Sequence, residues 1–213
     1  MKHFVDKSAK VIAYLFHPIF APCYFILFIF LRNYVSGFNR YSSIENMEQA
    51  KSIIALSILF ISTIPLLLMA LFVRTKLVSS LQAEEQGERS LPFLSALTSG
   101  LVGFVLLHYN YTIPPILTLF YMGYLFAIGF ALLINQYTKI SIHMIGIGGI
   151  IGGMILLCRV NQQIYLAELT TMIGIAGLIA FSRLRLKAHS SSQVGLGLIL
   201  GLVCELYPLF FMA

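Results

Sequence analysis

Long apolar runs separated by short polar gaps occupy most of the chain. A bilayer core about 30 Å thick takes about 20 apolar residues per helix, and that rule marks seven segments. They cover residues 11–31, 52–73, 93–108, 113–134, 142–158, 168–181 and 194–212. The third, fifth and sixth are short for a span. The first carries His17-Pro18 and Pro22 inside its apolar run, so a kinked or partly re-entrant helix is expected there. Six spans plus one irregular segment is the alternative count. Lys2, Lys7 and Lys10 precede that segment as in a signal peptide, but the run is too long and no small-residue cleavage site follows, so it is expected to stay as a membrane helix. The longest polar stretches are residues 32–51 and 74–92, and no repeat, low-complexity tract or soluble domain interrupts the pattern. The expected fold is all-α: a polytopic integral membrane helix bundle of six or seven transmembrane helices, forming one transmembrane domain over residues 1–213.

Composition agrees with the pattern. Of 213 residues 59% are hydrophobic and 10% charged, against roughly 25% charged in an average soluble domain. Too few polar side chains exist to coat a water-soluble core. The net charge of +6 comes from cations scattered over short gaps, which make no basic face for nucleic acid. With seven crossings, the N-terminus and the loops after spans two, four and six share one side. Lys2, Lys7, Lys10, Arg74, Lys76, Arg89, Lys139, Arg183, Arg185 and Lys187 fall there; Arg32, Arg40, Lys51 and Arg159 fall opposite. The positive-inside rule makes the richer side cytoplasmic, but an anion site would enrich the same residues, so orientation stays open. A bacterial inner (plasma) membrane is the expected location. Cys23, Cys158 and Cys204 sit inside apolar runs without metal-ligand spacing and read as small core residues.

Three stretches at span ends on the richer side carry candidate chemistry: Glu84 to Pro92, Ser141-Ile142-His143, and Ser182 to Gln193. The last has two readings. It is a basic headgroup loop ending in a capping box, Ser190 with Gln193 three residues on. Or Gln193, one turn beyond His189, accepts a hydrogen bond from the imidazole, and Arg183 meets His189 and His143 at one membrane boundary. Arginine offers bidentate hydrogen bonds to phosphoryl oxygens, and a histidine pair supplies a nucleophile and a general acid.

These residues carry a resemblance. Ser182-Arg183, five residues, His189, three residues, Gln193 resembles the third signature of the type-2 phosphatidic-acid phosphatase superfamily, with glutamine in place of its aspartate. Ser141-Ile142-His143 is similar to the second, Pro-Ser-Gly-His, with Ile140 and Ile142 at the proline and glycine. In the first, Lys, six residues, Arg-Pro, Arg89 is kept, Gln82 stands at the lysine, and proline arrives late at Pro92. Their order and rough separations agree with the family over residues 84–201.

The resemblance implies a metal-independent, cofactor-independent lipid phosphate phosphatase working by double displacement. His189 attacks phosphorus and carries a phosphohistidine, oriented by Gln193. His143 protonates the leaving group and then activates water. Arg183 and Arg89 hold the non-bridging oxygens, helped by Ser141. Substrates would be phosphomonoesters or diphosphates of lipids, of phosphatidic-acid, phosphatidylglycerophosphate or polyprenyl-diphosphate type, met within the membrane lipids. Gln193, Ile142 and Gln82 depart from the family and keep two alternatives open: a catalytically silent relative that binds headgroups or partner proteins, and a small transporter, for which the broken first span speaks but no inverted repeat is evident.

Other features have structural readings. Gly146, Gly148, Gly149, Gly152 and Gly153 in span five, with Gly197 and Gly201 in span seven, are expected to let those two helices touch. His17, an intramembrane polar group, is a functional hint, but a hydrogen bond to a carbonyl freed by the proline kink is the favoured expectation. His108 to Tyr111 read as an aromatic belt, and Glu84, Glu85 and Glu88 as a solvated loop run.

Overall fold

The structure, a computed structural model, describes residues 2–35, 47–83 and 85–208. The described residues are helical, without strands. Five helices are long and apolar enough to cross a membrane: Met47–Arg74, Gly87–Asn110, Pro115–Ile134, Ile142–Asn161 and Leu166–Arg185. Two shorter apolar helices, Ala21–Arg32 and Ser191–Leu206, accompany them. The protein is therefore a membrane protein built as a helical bundle. Arg40, Glu84 and the last four residues of the 194–212 segment lie outside the described residues.

The first apolar run is not one helix. α1 (Lys2–Leu15) and α2 (Ala21–Val35) are separated by a break at residues 16–20. Pro18 and Pro22 lack the amides that would continue the hydrogen-bond ladder. The carbonyl of Ile19, exposed by the break, accepts a hydrogen bond from Ser62 Oγ at 2.5 Å. α1 exposes Lys7 and Lys10 and lies against α8, with Ser182 Oγ donating to the Ala9 carbonyl and Arg185 paired to Asp6 at 2.7 Å.

The second span is one rod interrupted by a wide turn. α3 (Met47–Ile58) passes through a π turn at Leu59–Thr63 into α4 (Ile64–Arg74). The Ile64 amide donates to Leu59 O, and the next donor in that register would be Pro65, which has none. The Phe60 carbonyl is left over and takes the Ser99 hydroxyl of α5 at 2.6 Å. A proline-imposed irregularity thus becomes an interhelical hydrogen bond.

α5 (Ser90–Asn110), preceded by a short 3-10 turn at Gly87–Arg89, and α7 (Ile142–Asn161) both run past the expected spans 93–108 and 142–158. α8 (Leu166–Arg185) likewise exceeds 168–181. Each gains turns that begin or end in polar residues, which an apolar-run rule cannot see. α6 (Pro115–Ile134) matches its expected 113–134 closely.

α7 and α9 (Ser191–Leu206) pack along their lengths through glycine. A Cβ on Gly197 would land 2.5 Å from the Ser141 carbonyl oxygen, and one on Gly148 or Gly201 would strike the backbone carbonyl of Leu198 or Ile145. The two backbones touch, as the glycine spacing predicts. Ser141 is tied to α9 at the same end, its amide reaching Gln193 O at 3.4 Å.

Candidate functional site

One cavity of about 110 Å³ opens at the end of the bundle where the α1–α2 break, the loop after α4, the start of α7 and the α8–α9 loop meet. His17, Gln82, Arg89, His143, Arg183 and His189 line it, with Ile61, Met69, Phe93 and Ile128 forming an apolar side. Arg89, Arg183, His143 and His189 are all less than 8% exposed. Polar residues from four separate stretches of sequence therefore converge on one pocket beside an apolar wall.

Each imidazole is fixed by a backbone partner. His189 Nδ1 lies 3.0 Å from the Lys139 carbonyl. A carbonyl only accepts, so Nδ1 carries the proton and the neutral ring keeps its lone pair on Nε2. His143 is held the opposite way: Nε2 donates to the Ala13 carbonyl of α1 at 3.1 Å, leaving Nδ1 open. His17 accepts from the Ile19 amide at Nδ1, 3.4 Å away, and its ring stands edge-on to His143 with centroids 5.8 Å apart. Among the described residues no three His, Cys, Asp or Glu side chains are grouped to hold a metal ion.

The surroundings favour neutral histidine. Burial, followed by the Arg89 and Arg183 guanidiniums, pushes His189 down to about 4, against the opposing Lys139 hydrogen bond. Burial also lowers His17, with Arg183 adding to the effect. His189 immediately precedes the α9 N-cap and His143 is the second residue of α7. Two helix N-termini thus border the cavity, and their partial positive charge suits an anionic group.

Arg89 has structural work as well. Its Nε donates to the Ala83 carbonyl and its Nη1 to the Ile140 carbonyl, both at 2.8 Å. It thereby ties the loop after α4 to the segment before α7. Gln86 and Asn135 exchange hydrogen bonds with each other's carbonyl beside it, at 2.7 and 2.9 Å. Glu88 accepts from Ser79 Oγ at 2.7 Å, as a loop residue.

Two expected site residues are placed differently. Gln193 does not orient His189: its Oε1 accepts from the Ser190 amide at 3.1 Å while Ser190 Oγ accepts from the Gln193 amide at 3.3 Å. This is the capping box, and the Lys139 carbonyl holds the imidazole instead. Ser141 caps the start of α7 with no side-chain cap bond, is fully buried beneath Gly197, and is not among the cavity's walls. Its hydroxyl has no hydrogen-bond partner.

For His17 the sequence favours a hydrogen bond to a freed carbonyl over the functional hint of a polar group in an apolar run; it stands in the cavity wall. Its place beside Pro18 in an apolar run was the available signal. Tyr124, of α6, also lines the cavity, and nothing in its local sequence marks it. No protein family, curated protein or solved structure matches this chain.

Proposed function

We infer that the protein is a membrane phosphatase-like enzyme that removes phosphate from a lipid phosphomonoester or diphosphate through a phosphohistidine on His189. One observation carries the reading. His143, Arg183 and His189 share a single buried cavity, and the two imidazoles are tied to carbonyls through opposite nitrogens, so each keeps one nitrogen for chemistry.

The steps follow from that geometry. The His189 Nε2 lone pair forms the N–P bond as the bond from phosphorus to the leaving oxygen breaks. The proton of the substrate's own phosphate O–H passes to the open His143 Nδ1 and from it to the departing oxygen, so His143 is cationic only in transit. Water then attacks the phosphohistidine while His143 Nδ1 takes its proton, and His189 is released with inorganic phosphate. Arg183 and Arg89 neutralise the equatorial oxygens, where most of the charge of phosphoryl transfer resides. The neutral state of His189 keeps the nucleophile unprotonated across the physiological range. The cavity's apolar side, Ile61, Met69 and Phe93, supports a substrate whose headgroup enters while its chain remains among helices. In this reading α2 and α9 cross as well, giving seven spans in a bacterial inner (plasma) membrane, with the expected resemblance to the type-2 phosphatidic-acid phosphatases as its frame.

The test is phosphate release from phosphatidic acid, phosphatidylglycerophosphate and polyprenyl diphosphates by purified protein in lipid with a chelator present. Release, and a base-stable phosphoryl adduct that disappears in His189→Ala, is expected. Silence across the panel, or release that survives His189→Ala, removes the enzyme reading.

A headgroup-binding protein without turnover is the second reading. The backbone bonds of Arg89 favour it, because they commit two of its donors to holding loops rather than a ligand. Retention of lipid phosphate without release, lost in Arg183→Ala, is its expected outcome.

A further inference from the structure

Deep in the bundle a second small cavity adjoins the first. Pro18, Pro22, Tyr124, Ile128 and Ile142 belong to the walls of both. At the inner one stands Glu205, a carboxyl from the C-terminal half of α9 that is 2% exposed and whose Oε2 has no hydrogen-bond partner. Nothing in the phosphatase reading uses it.

The slot for this side chain is made by glycines. A Cβ on Gly123 of α6 would meet Glu205 Cδ and Oε2 at 2.5 Å. One on Gly152 of α7 would meet its Cβ at 2.7 Å, and one on Gly149 its Cγ at 3.7 Å. Gly148 admits the backbone of α9 alone, whereas Gly152 faces both the Leu202 carbonyl and the stem of Glu205, and Gly149 lies in ordinary contact with that side chain. Three helices leave space for a group that an aliphatic residue would replace without any polar difficulty, and ionisable residues within a membrane are costly and mark function.

The inner cavity measures about 50 Å³, above the roughly 10–15 Å³ that one water needs. Glu205 and Tyr124 are the titratable side chains among its described walls, and the buried Cys204 precedes Glu205 on α9. The Tyr124 hydroxyl reaches the Ala96 carbonyl of α5 at 3.4 Å. Burying an isolated carboxylate costs far more than burying the neutral acid, so a proton, or a small cation, is what this slot can accommodate on Glu205. Only the proton needs no ring of oxygen ligands, and the other walls are hydrocarbon apart from the tyrosine.

We propose that Glu205 is an intramembrane proton-binding site reached by water through the histidine cavity. On release the carboxyl O–H bond breaks and the proton passes to water in the inner cavity and on to water in the outer one; uptake reverses the path. The proposal does not depend on phosphoryl transfer, and its readouts contain no substrate.

Infrared spectroscopy of the protein in bilayers tests it. A carboxylic-acid C=O band that is missing in Glu205→Gln and shifts within minutes of exchange into D2O is expected. A band that stays unshifted for hours shows a sealed structural acid and overturns the proposal, as does the lack of any Glu205-dependent band. Should Glu205→Gln fail to fold, a hydrophobic carbodiimide supplies a measurement on the unaltered chain. The expected result is an adduct at Glu205 by mass spectrometry, formed at a rate that falls as pH rises and is indifferent to sodium. No adduct, or protection by sodium, overturns it, the latter in favour of a monovalent cation.

Discussion

The two ends of the α7–α9 pair solve different problems with the same two helices. Along the middle, Gly148, Gly197 and Gly201 let the backbones meet, and a single added methyl there would strike a carbonyl. At the loop end the helices are held by polar groups instead: the Ser190–Gln193 capping box, the Lys139 carbonyl under His189, and Arg89 across Ala83 and Ile140. The seam is unforgiving because atoms have nowhere to move. The polar end is open enough for a ligand, and it is kept in shape by hydrogen bonds to backbone acceptors, which persist whatever side chains the loops carry. Stability should therefore be lost through the seam and turnover through the end, with little exchange between them.

The largest separation is expected at His189. His189→Ala should lower phosphate release by at least about a thousandfold, while the melting temperature in detergent changes little, since the ring's main tie is one carbonyl. A variant that melts far below the parent would show that the polar end carries structure, and the contrast would fail.

Next in size is the seam. Gly201→Leu should prevent recovery of folded protein, and Gly201→Ala should cost about 1–3 kcal/mol through overpacking against the Ile145 carbonyl. Gly195, on the same helix with nothing within 4 Å of an added Cβ, supplies the control: Gly195→Ala should be neutral or stabilise by up to about 1 kcal/mol. Equal effects at the two positions in a thermal-melt series would mean that the helices are not in this register.

Acid should reach the polar end selectively. The folded-state value for His189 is depressed to about 4, below the ordinary 6.5, so the unfolded chain binds the extra proton first. Stability attributable to His189 is then complete above about pH 6.5 and lost as pH falls toward 4, by roughly 1–3 kcal/mol. The acid limb of kcat/KM should follow the same group, falling near pH 4 rather than near 6.5. Melting curves across this range should flatten in His189→Gln, whereas Gly201→Ala should keep the parent's slope.

How much of this was legible in the sequence differs along the same division. Apolar runs marked the helices, and Pro18 and Pro22 marked the break between α1 and α2. The spacing of Arg183 and His189, and the place of His143, picked out groups that do share a cavity. The start of α5 was harder: Arg89 lies just before it, buried within polar sequence, so a hydropathy rule places the helix three residues late. The partner of His189 was out of reach for another reason. A carbonyl has no residue identity, and Lys139 reads as a surface lysine whatever its backbone does. Glu205 was hidden by its neighbours, since glycines that shelter a carboxyl look the same as glycines that admit a helix.

The smallest effect tests the finest part of the contrast, which group orients the nucleophile. Gln193 completes a capping box in the first turn of α9, so Gln193→Ala should cost about 0.5–1 kcal/mol of stability and change turnover only a few-fold. Gln193→Asp should restore the cap, because aspartate also accepts from the Ser190 amide, without a large gain in rate. The orienting bond to the Lys139 carbonyl survives both changes. If Gln193→Ala instead lowered kcat as far as His189→Ala while leaving KM and the melting temperature alone, the glutamine would be acting on the imidazole in the working state. The division between a structural cap and a backbone-held nucleophile would then be lost at the one loop where the two lie side by side.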